Sequence, residues 1–200
     1  MTKQQKRGCV FVFLGVALIL LSLGLHLAQK KQDQYAGANA QALLLQLESH
    51  QLPVALPEEI PSQPVLSQED APMPVMEYLG YAIIGTIRVP SVGIELPILE
   101  NWNYELLNVA PCRYSGSLAE EDLILMGHNY ESHFRPLHHV EIGATVEFED
   151  VSGVTHSYTV AEVATLYKND GEQLPSAYPL TLFTCTPGGQ WRVVVRCADS

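Results

Sequence analysis

The pattern of apolar and polar residues divides the chain into an apolar N-terminal run, a polar connection and a region of short strands. Residues 9–27 contain no Asp, Glu, Lys or Arg. As a helix rising about 1.5 Å per residue, this run nearly crosses a hydrocarbon layer about 30 Å thick. Three basic residues precede the run and two follow it closely, which favours a cytoplasmic N-terminus and places the remaining chain outside. We therefore predict a cytoplasmic segment over residues 1–8 and a transmembrane anchor over residues 9–28.

A polar connection over residues 29–78 follows the predicted anchor. Its first part, residues 35–51, combines helix-forming residues with an apolar patch and predicts a short helix. Six prolines then recur between residues 53 and 74, and repeated prolines exclude helix interiors and central strands. We predict a semi-rigid extracytoplasmic stalk, with a lid over an active site as the alternative. For the anchor, the alternatives are a secretory signal cleaved near Ala38-Asn39-Ala40 and a buried core helix.

Short β-rich runs separated by Gly, Pro and Asp turns occupy residues 79–200. The predicted strands are residues 83–89, 92–99, 123–126, 145–149, 156–163, 180–185 and 191–197. Short helices are predicted near residues 104–108 and 133–138. Many short strands with turn signals between them are typical of an all-β barrel or sandwich. The predicted fold class is therefore all-β, in one domain that begins near residue 79.

The last two strands carry a chemical pattern. Pro187-Gly188-Gly189 is a turn signal, and a four-residue loop over 186–189 would place Cys185 diagonal to Arg192 on one face of a hairpin. A nearby guanidinium favours the thiolate, which is the nucleophilic form of cysteine. It could also stabilise charge on a tetrahedral acyl intermediate. The pattern thus points to nucleophilic catalysis, and a buried thiol beside a surface arginine is the structural alternative.

A proton carrier is available at His128, which directly follows a predicted strand. Loops at strand ends commonly carry catalytic groups. Four histidines between residues 128 and 139 also raise the possibility of a metal site, but they lack an HExxH register. His133 is a candidate pocket residue, and a hydrogen-bonded structural role is the alternative for His128.

Charge and cysteine content exclude some functions. Acidic residues outnumber basic ones 22 to 11, and nucleic-acid binding needs the opposite balance. Four cysteines in 200 residues are too few for a disulfide scaffold. Cys112 and Cys197 are predicted either to pair outside the cell or to be buried thiols.

Three motifs resemble the sortase family. The run TLFTC at residues 181–185, followed by Arg192 on the next strand, resembles the family's TLxTC…R signature. The segment IGTIRVPSVGIELPILE resembles its opening strands, and LILMGHN resembles its histidine strand. The resemblance covers residues 83–196. It implies a closed eight-stranded β-barrel and a cysteine transpeptidase on the outside of Gram-positive bacteria.

The resemblance also implies roles for individual residues. Cys185 would be the nucleophile, His128 the general acid and base, and Arg192 the group that holds the substrate or the oxyanion. The other substrate or oxyanion contacts that the resemblance suggests are Thr181, Phe183 and Thr184, although the alternation of the strand places Thr184 on the core face.

The implied reaction cleaves an LPxTG-like sorting signal through a thioester. It then transfers the surface protein to an amine of a lipid-linked cell-wall precursor or of a pilin lysine. No cofactor is expected, with calcium near the acidic turn at residues 120–122 as the alternative.

The short segment around residue 170 and the residue before Cys185 bear on the subclass and on a rival enzyme class. About 13 residues separate the strands before and after residue 170, too few for the long insert of class B sortases. A short single-anchor type nearest class D is our preference. The rival enzyme, an L,D-transpeptidase, would carry a glycine before the cysteine, where this chain has Thr184. The non-enzymatic rival is a membrane-tethered β-domain for adhesion or binding.

Overall fold

The N-terminal region forms one long helix. The computed structural model describes residues 3–50 and 73–200. Helix α1 (Lys3–His50) includes both the apolar run and the helix predicted separately over residues 35–51. The two are continuous because residues 28–50 contain no proline to end the helix. The predicted stalk and lid fall mainly on residues 51–72, outside the described residues.

Helix α1 has two halves with different surroundings. Between Leu14 and Leu27 the large apolar side chains are exposed, and the helix is long and apolar enough to cross a membrane. Further along, one stripe of the helix is buried against the strands. The buried residues are Ala36, Ala40, Leu43 and Leu47, whose spacing of three and four keeps them on one helical face. This second half of α1 is therefore packed as part of the folded domain.

Nine strands follow the helix. They are β1 (Met76–Tyr78), β2 (Tyr81–Val89), β3 (Ile94–Leu99), β4 (Cys112–Ser115), β5 (Leu123–Gly127), β6 (Thr145–Asp150), β7 (Thr155–Tyr167), β8 (Leu180–Cys185) and β9 (Trp191–Asp199). The connections contain 3-10 helices at Pro90–Val92, Leu106–Asn108, Arg135–His139 and Gly171–Gln173. All seven predicted strands are present, and the two predicted short helices correspond to the second and third of these turns. Strands β1 and β4 were not predicted.

The sheet closes on itself. The strand order is β1-β2-β3-β4-β5-β8-β9-β7-β6, and an additional pairing of β2 with β6 joins the ends. Eight strands thus form the closed barrel, while β1 lies outside the ring and pairs only with β2 among the described strands. The predicted all-β barrel is confirmed. Its interior is filled by apolar side chains, including Ile87, Leu125, Phe148 and Leu182, all fully buried.

The β8–β9 hairpin has a different register from the predicted one. Cys185 pairs directly with Arg192, whereas the four-residue loop would have made them diagonal. The loop is two residues longer because Thr186 donates its N–H to the carbonyl of Trp191 and accepts one from Gly189. A shift of two residues preserves the alternation of a strand. The predicted faces are therefore kept, and Leu180, Leu182 and Thr184 are all buried on the core side.

Candidate active site

Three neighbouring strands bring the candidate catalytic residues together. Strand β8 lies between β5 and β9, and it is parallel to β5, so that Gly127 pairs with Thr184. The next residue on each strand is a candidate catalytic group, His128 after β5 and Cys185 at the end of β8. Arg192 pairs with Cys185 on the other side. The topology therefore places the thiol between the strand that leads to the imidazole and the strand that carries the guanidinium.

The thiol and the imidazole line one cavity. Cys185 and His128 are both half-buried, and the cavity they share has a volume of about 530 Å³. Its walls come from three places in the chain: residues 128–130 after β5, residues 185–189 after β8, and residues 26–33 of α1. This volume lies within the range of about 300–1,000 Å³ typical of ligand sites.

His128 is the first of three rings that contact one another in series, each tilted relative to the next. Its ring lies 4.7 Å from that of Tyr130, which lies 5.4 Å from that of His133. Burial lowers the pKa of His128 below its ordinary value. Burial also lowers the pKa of His133, to about 4. Both imidazoles are therefore neutral at neutral pH, and a neutral His128 can accept a proton from a thiol.

Arg192 is turned away from the cavity. Its guanidinium donates a hydrogen bond to the carbonyl of Lys168 and lies 5.8 Å from the centre of the Phe183 ring. Of the part of the chain that the structure describes, the cavity wall includes Cys185 and His128 but not Arg192. Directly opposed residues on antiparallel strands have Cα atoms about 4.5–5.5 Å apart. Arg192 is thus adjacent to Cys185 through the backbone, while its guanidinium is bonded to Lys168, the residue that follows β7.

The three further candidates on strand β8 are buried on both of its faces, Thr184 toward the barrel interior and Thr181 and Phe183 on the opposite face. Thr184 is fully buried, and its hydroxyl donates to the carbonyl of Gly127 at 2.9 Å. This bond ties the strand of the nucleophile to the strand of the histidine. Thr181 and Phe183 are also buried, and Phe183 packs edge-on against Tyr114 at 5.3 Å.

His138 and segment 26–33 of α1 were missed as parts of the site. The Nε2 atom of His138 lies 3.3 Å from the carbonyl oxygen of Cys185, so this ring contacts the backbone of the candidate nucleophile. The helix segment lies more than 90 residues before His128 in the chain. No local sequence pattern predicts either contact, because each joins residues that are far apart in the chain.

Cys112 and Cys197 are buried thiols, and the acidic turn at residues 120–122 is held by hydrogen bonds to neighbouring residues. Within residues 73–200, Cys112, Cys185 and Cys197 are free thiols, and burial raises the pKa of both Cys112 and Cys197 to about 12. In the acidic turn, Asp122 accepts a hydrogen bond from the backbone of Ser117 at 2.9 Å. In the described ranges 3–50 and 73–200, no three His, Cys, Asp or Glu side chains are arranged to hold a metal ion.

A family model decides the family. The model of the sortase domain matches residues 87–200, which is more than half of the chain and includes Cys185, His128 and Arg192. The chain belongs to the sortase family. Sortases are cysteine transpeptidases, and the matched region of this sortase contains the cavity with its thiol and imidazole. A comparison with curated protein sequences finds none that matches.

Solved structures agree on the fold of this sortase. It is similar to sortase C1 of Streptococcus agalactiae at 22% identity and a TM-score of 0.51, over 59% of this chain and 69% of that one. It is similar to the sortase D5 transpeptidase of Clostridium perfringens at 20% identity and a TM-score of 0.53, over 59% of this chain and 79% of that one. Its similarity to sortase A of Listeria monocytogenes has 23% identity and a TM-score of 0.51, over 59% of this chain and 87% of that one. These structures belong to three classes, so the class D-like assignment stays a prediction.

Proposed function

We propose that this sortase is a membrane-anchored transpeptidase that cleaves an LPxTG-like sorting signal and transfers the cleaved protein to an amine. The observation that carries the proposal is the shared cavity, in which the thiol of Cys185 and the imidazole of His128 face one space. A nucleophile and a proton carrier in one cavity are what acyl transfer through a thioester requires.

The first half-reaction forms the acyl-enzyme. The sulfur of Cys185 attacks the carbonyl carbon of the scissile peptide bond. His128 takes up the proton of the thiol and gives it to the nitrogen of the leaving amine. The C–N bond then breaks and a thioester remains. In the second half-reaction an incoming amine attacks the thioester carbonyl, His128 accepts the amine proton, and the thiol is restored.

Arg192 is proposed to stabilise charge next to the thioester carbonyl. Arg192 is paired with Cys185 across the hairpin, and in this proposal its guanidinium leaves the carbonyl of Lys168 and turns toward the sulfur when the substrate binds. One preorganised donor to an oxyanion is worth about 3–4 kcal/mol in related chemistry. Nucleophile, proton carrier and cation are all side chains, so the proposed mechanism assigns no step to a cofactor.

The partners and the location follow from the same proposal. The donor substrates are surface proteins with a sorting signal, and the acceptor is the amine of a lipid-linked peptidoglycan precursor or of a pilin lysine. The first half of α1 is proposed to be a single-pass anchor with a cytoplasmic N-terminus. The barrel then lies on the outer side, where donor and acceptor are both available.

The test uses a panel of LPxTG-like peptides with and without an amine, and mass spectrometry to detect acyl transfer. We expect a thioester adduct in the wild type and none in Cys185→Ala. Both His128→Ala and Arg192→Ala should lose most turnover and keep the fold. The matched controls are His139→Ala and Lys168→Ala, because both side chains are exposed and the Lys168 carbonyl remains. Full activity in His128→Ala or Arg192→Ala would remove that residue from the mechanism.

A further inference from the structure

Helix α1 contributes a complete wall of the cavity that holds the thiol. Residues His26, Gln29, Lys30, Gln32 and Asp33 line it from one side. The residues that line it from the other side are His128, Asn129, Tyr130, Arg135 and Cys185 through Gly189. A substrate that reaches the sulfur through this cavity therefore passes between the helix and the barrel.

Hydrogen bonds hold helix α1 against the loop that begins with His128, which we call the catalytic loop. The Asp33 carboxylate accepts the backbone N–H of Ser132 at 3.0 Å and the Ser132 hydroxyl at 2.5 Å. Ser132 belongs to the loop that begins with His128. One turn later, a Cβ on Gly37 would lie 2.8 Å from the Cβ of Ser132. Only a glycine allows this close approach, so the helix and the loop are fitted to each other.

A second connection joins the helix to the ring that contacts His128. Gln32 donates to the side-chain oxygen of Asn108 at 3.4 Å, and the hydroxyl of Tyr130 donates to the same oxygen at 3.1 Å. The ring of Tyr130 contacts His128. The position of α1 is thus coupled to the surroundings of the proton carrier as well as to the cavity wall.

The wall is also at the end of the apolar run. His26 lines the cavity, and the run without charged residues ends at Leu27. Six residues from Leu27 to Asp33 rise about 9 Å along a helix. The headgroup layer of a bilayer is about 5–8 Å thick on each side. If the run spans the membrane, the cavity lies at the bilayer surface and the rest of the barrel extends away from it.

From these contacts we infer that residues 26–33 of α1 are part of the peptide-binding site, so that the sorting signal is bound between this helix and the Cys185–His128 pair at the membrane surface. The inference rests on the proposed function, because it assigns the sorting signal to this cavity. It makes Gln29 and Lys30 specificity-determining residues. An isolated barrel without α1 would lack one side of its substrate site.

A matched pair of substitutions in the full chain tests the inference. Gln29 lines the cavity, whereas Gln34 is exposed on the same helix and does not line it among the described residues. An indole in place of Gln29 should fill part of the cavity. We expect Gln29→Trp to raise KM for the sorting peptide about tenfold or more, because the indole occupies space that the bound peptide would fill, and a tenfold change corresponds to only about 1.4 kcal/mol of binding free energy. Gln34→Trp should leave KM unchanged.

Alkylation of Cys185 by a bulky maleimide gives a readout that does not require transpeptidation. Gln29→Trp should slow this labelling relative to Gln34→Trp, with circular dichroism to confirm that both variants are folded. Equal KM values and equal labelling rates for the two variants would overturn the inference. A second outcome is that labelling differs between the variants but the wild type forms no thioester with any peptide. In that case residues 26–33 still line the cavity, whereas the proposed function and the assignment of the sorting signal to this cavity are both wrong.

A second pair tests whether docking of the helix matters. Gly37→Leu should push α1 away from Ser132, whereas Ala38→Leu places the same side chain on an exposed position. We expect a rise in KM only for Gly37→Leu. The same KM in both variants would contradict a role for the docked helix.

Discussion

A single methyl group at Gly127 should test how closely the catalytic loop is packed. A Cβ at this position would lie 2.6 Å from Cγ and 2.7 Å from Cδ2 of Phe134. Phe134 is fully buried in the core cluster, so it has little room to retreat. To restore a contact of 3.4 Å, the ring or the strand must move by about 0.8 Å. Such overpacking costs about 1–3 kcal/mol of folding stability.

The displacement should reach the proton carrier. The backbone N–H of Phe134 donates to the carbonyl of His128 at 3.2 Å, so a shift of one moves the other. A misplacement of about 1 Å at a reacting group can cost about 10²-fold in rate. We therefore expect Gly127→Ala to lower both the unfolding free energy and the rate of thioester formation, and the rate loss should exceed what unfolding explains.

The assay combines urea unfolding of the detergent-solubilised full chain with the rate of acylation by a sorting peptide. Gly171→Ala is the matched control, because a Cβ there meets no atom within 4 Å among the described residues. The reasoning is refuted if Gly127→Ala has the same midpoint and the same acylation rate as Gly171→Ala.

Three further predictions concern polar groups. Thr184→Val removes the donor to the buried carbonyl of Gly127 and should cost about 1–3 kcal/mol in urea unfolding, while Thr184→Ser should retain most of the stability; equal losses would be inconsistent with the hydrogen bond. Burial lowers the pKa of His133 from its ordinary value of 6.5 to about 4 in the folded state. Between these two pH values the unfolded state therefore binds one more proton than the folded state. The free energy of unfolding should fall as the pH decreases from about 6.5 to about 4, by roughly 3 kcal/mol in all. His133→Gln should flatten that part of the pH profile, and an unchanged profile would exclude His133 as its source. Asp33→Ala leaves the N–H of Ser132 without its acceptor and should lower the unfolding free energy by about 1 kcal/mol; in Asp33→Asn, which keeps an acceptor, a loss of the same size would argue against this bond.

Local patterns predicted the longer strands and the candidate pair of residues. The alternation in residues 145–149 and the apolar run at 180–185 predict strands because side-chain period and β-branched composition are local properties. Strand β1 was missed because its three residues, MEY, carry too short a pattern. Strand β4 was missed because its sequence, CRYS, lacks the continuous apolar run that marks residues 123–126. The register of Cys185 with Arg192 depended on hydrogen bonds of Thr186 inside the turn, which composition does not encode.

Non-local contacts account for the remaining differences. The parallel pairing of β5 with β8 joins residues 57 positions apart, and the docking of Asp33 on Ser132 joins residues 99 apart. Each contact exists only because the whole barrel is closed. The sequence could therefore indicate a nucleophile and a proton carrier, but not the helix that forms the opposite wall of their cavity.

The position of β8 between β5 and β9 has a consequence for biosynthesis. A ribosome adds about 5–20 residues per second, so roughly 3–11 seconds separate the synthesis of His128 from that of Cys185. During that interval β5 exposes a free edge, which other chains can join. The proposed acyl-transfer centre is also incomplete during this interval, because Cys185 is synthesised after His128. A partly synthesised molecule is thus inert toward neighbouring polypeptides, although it is vulnerable to aggregation until the final hairpin inserts.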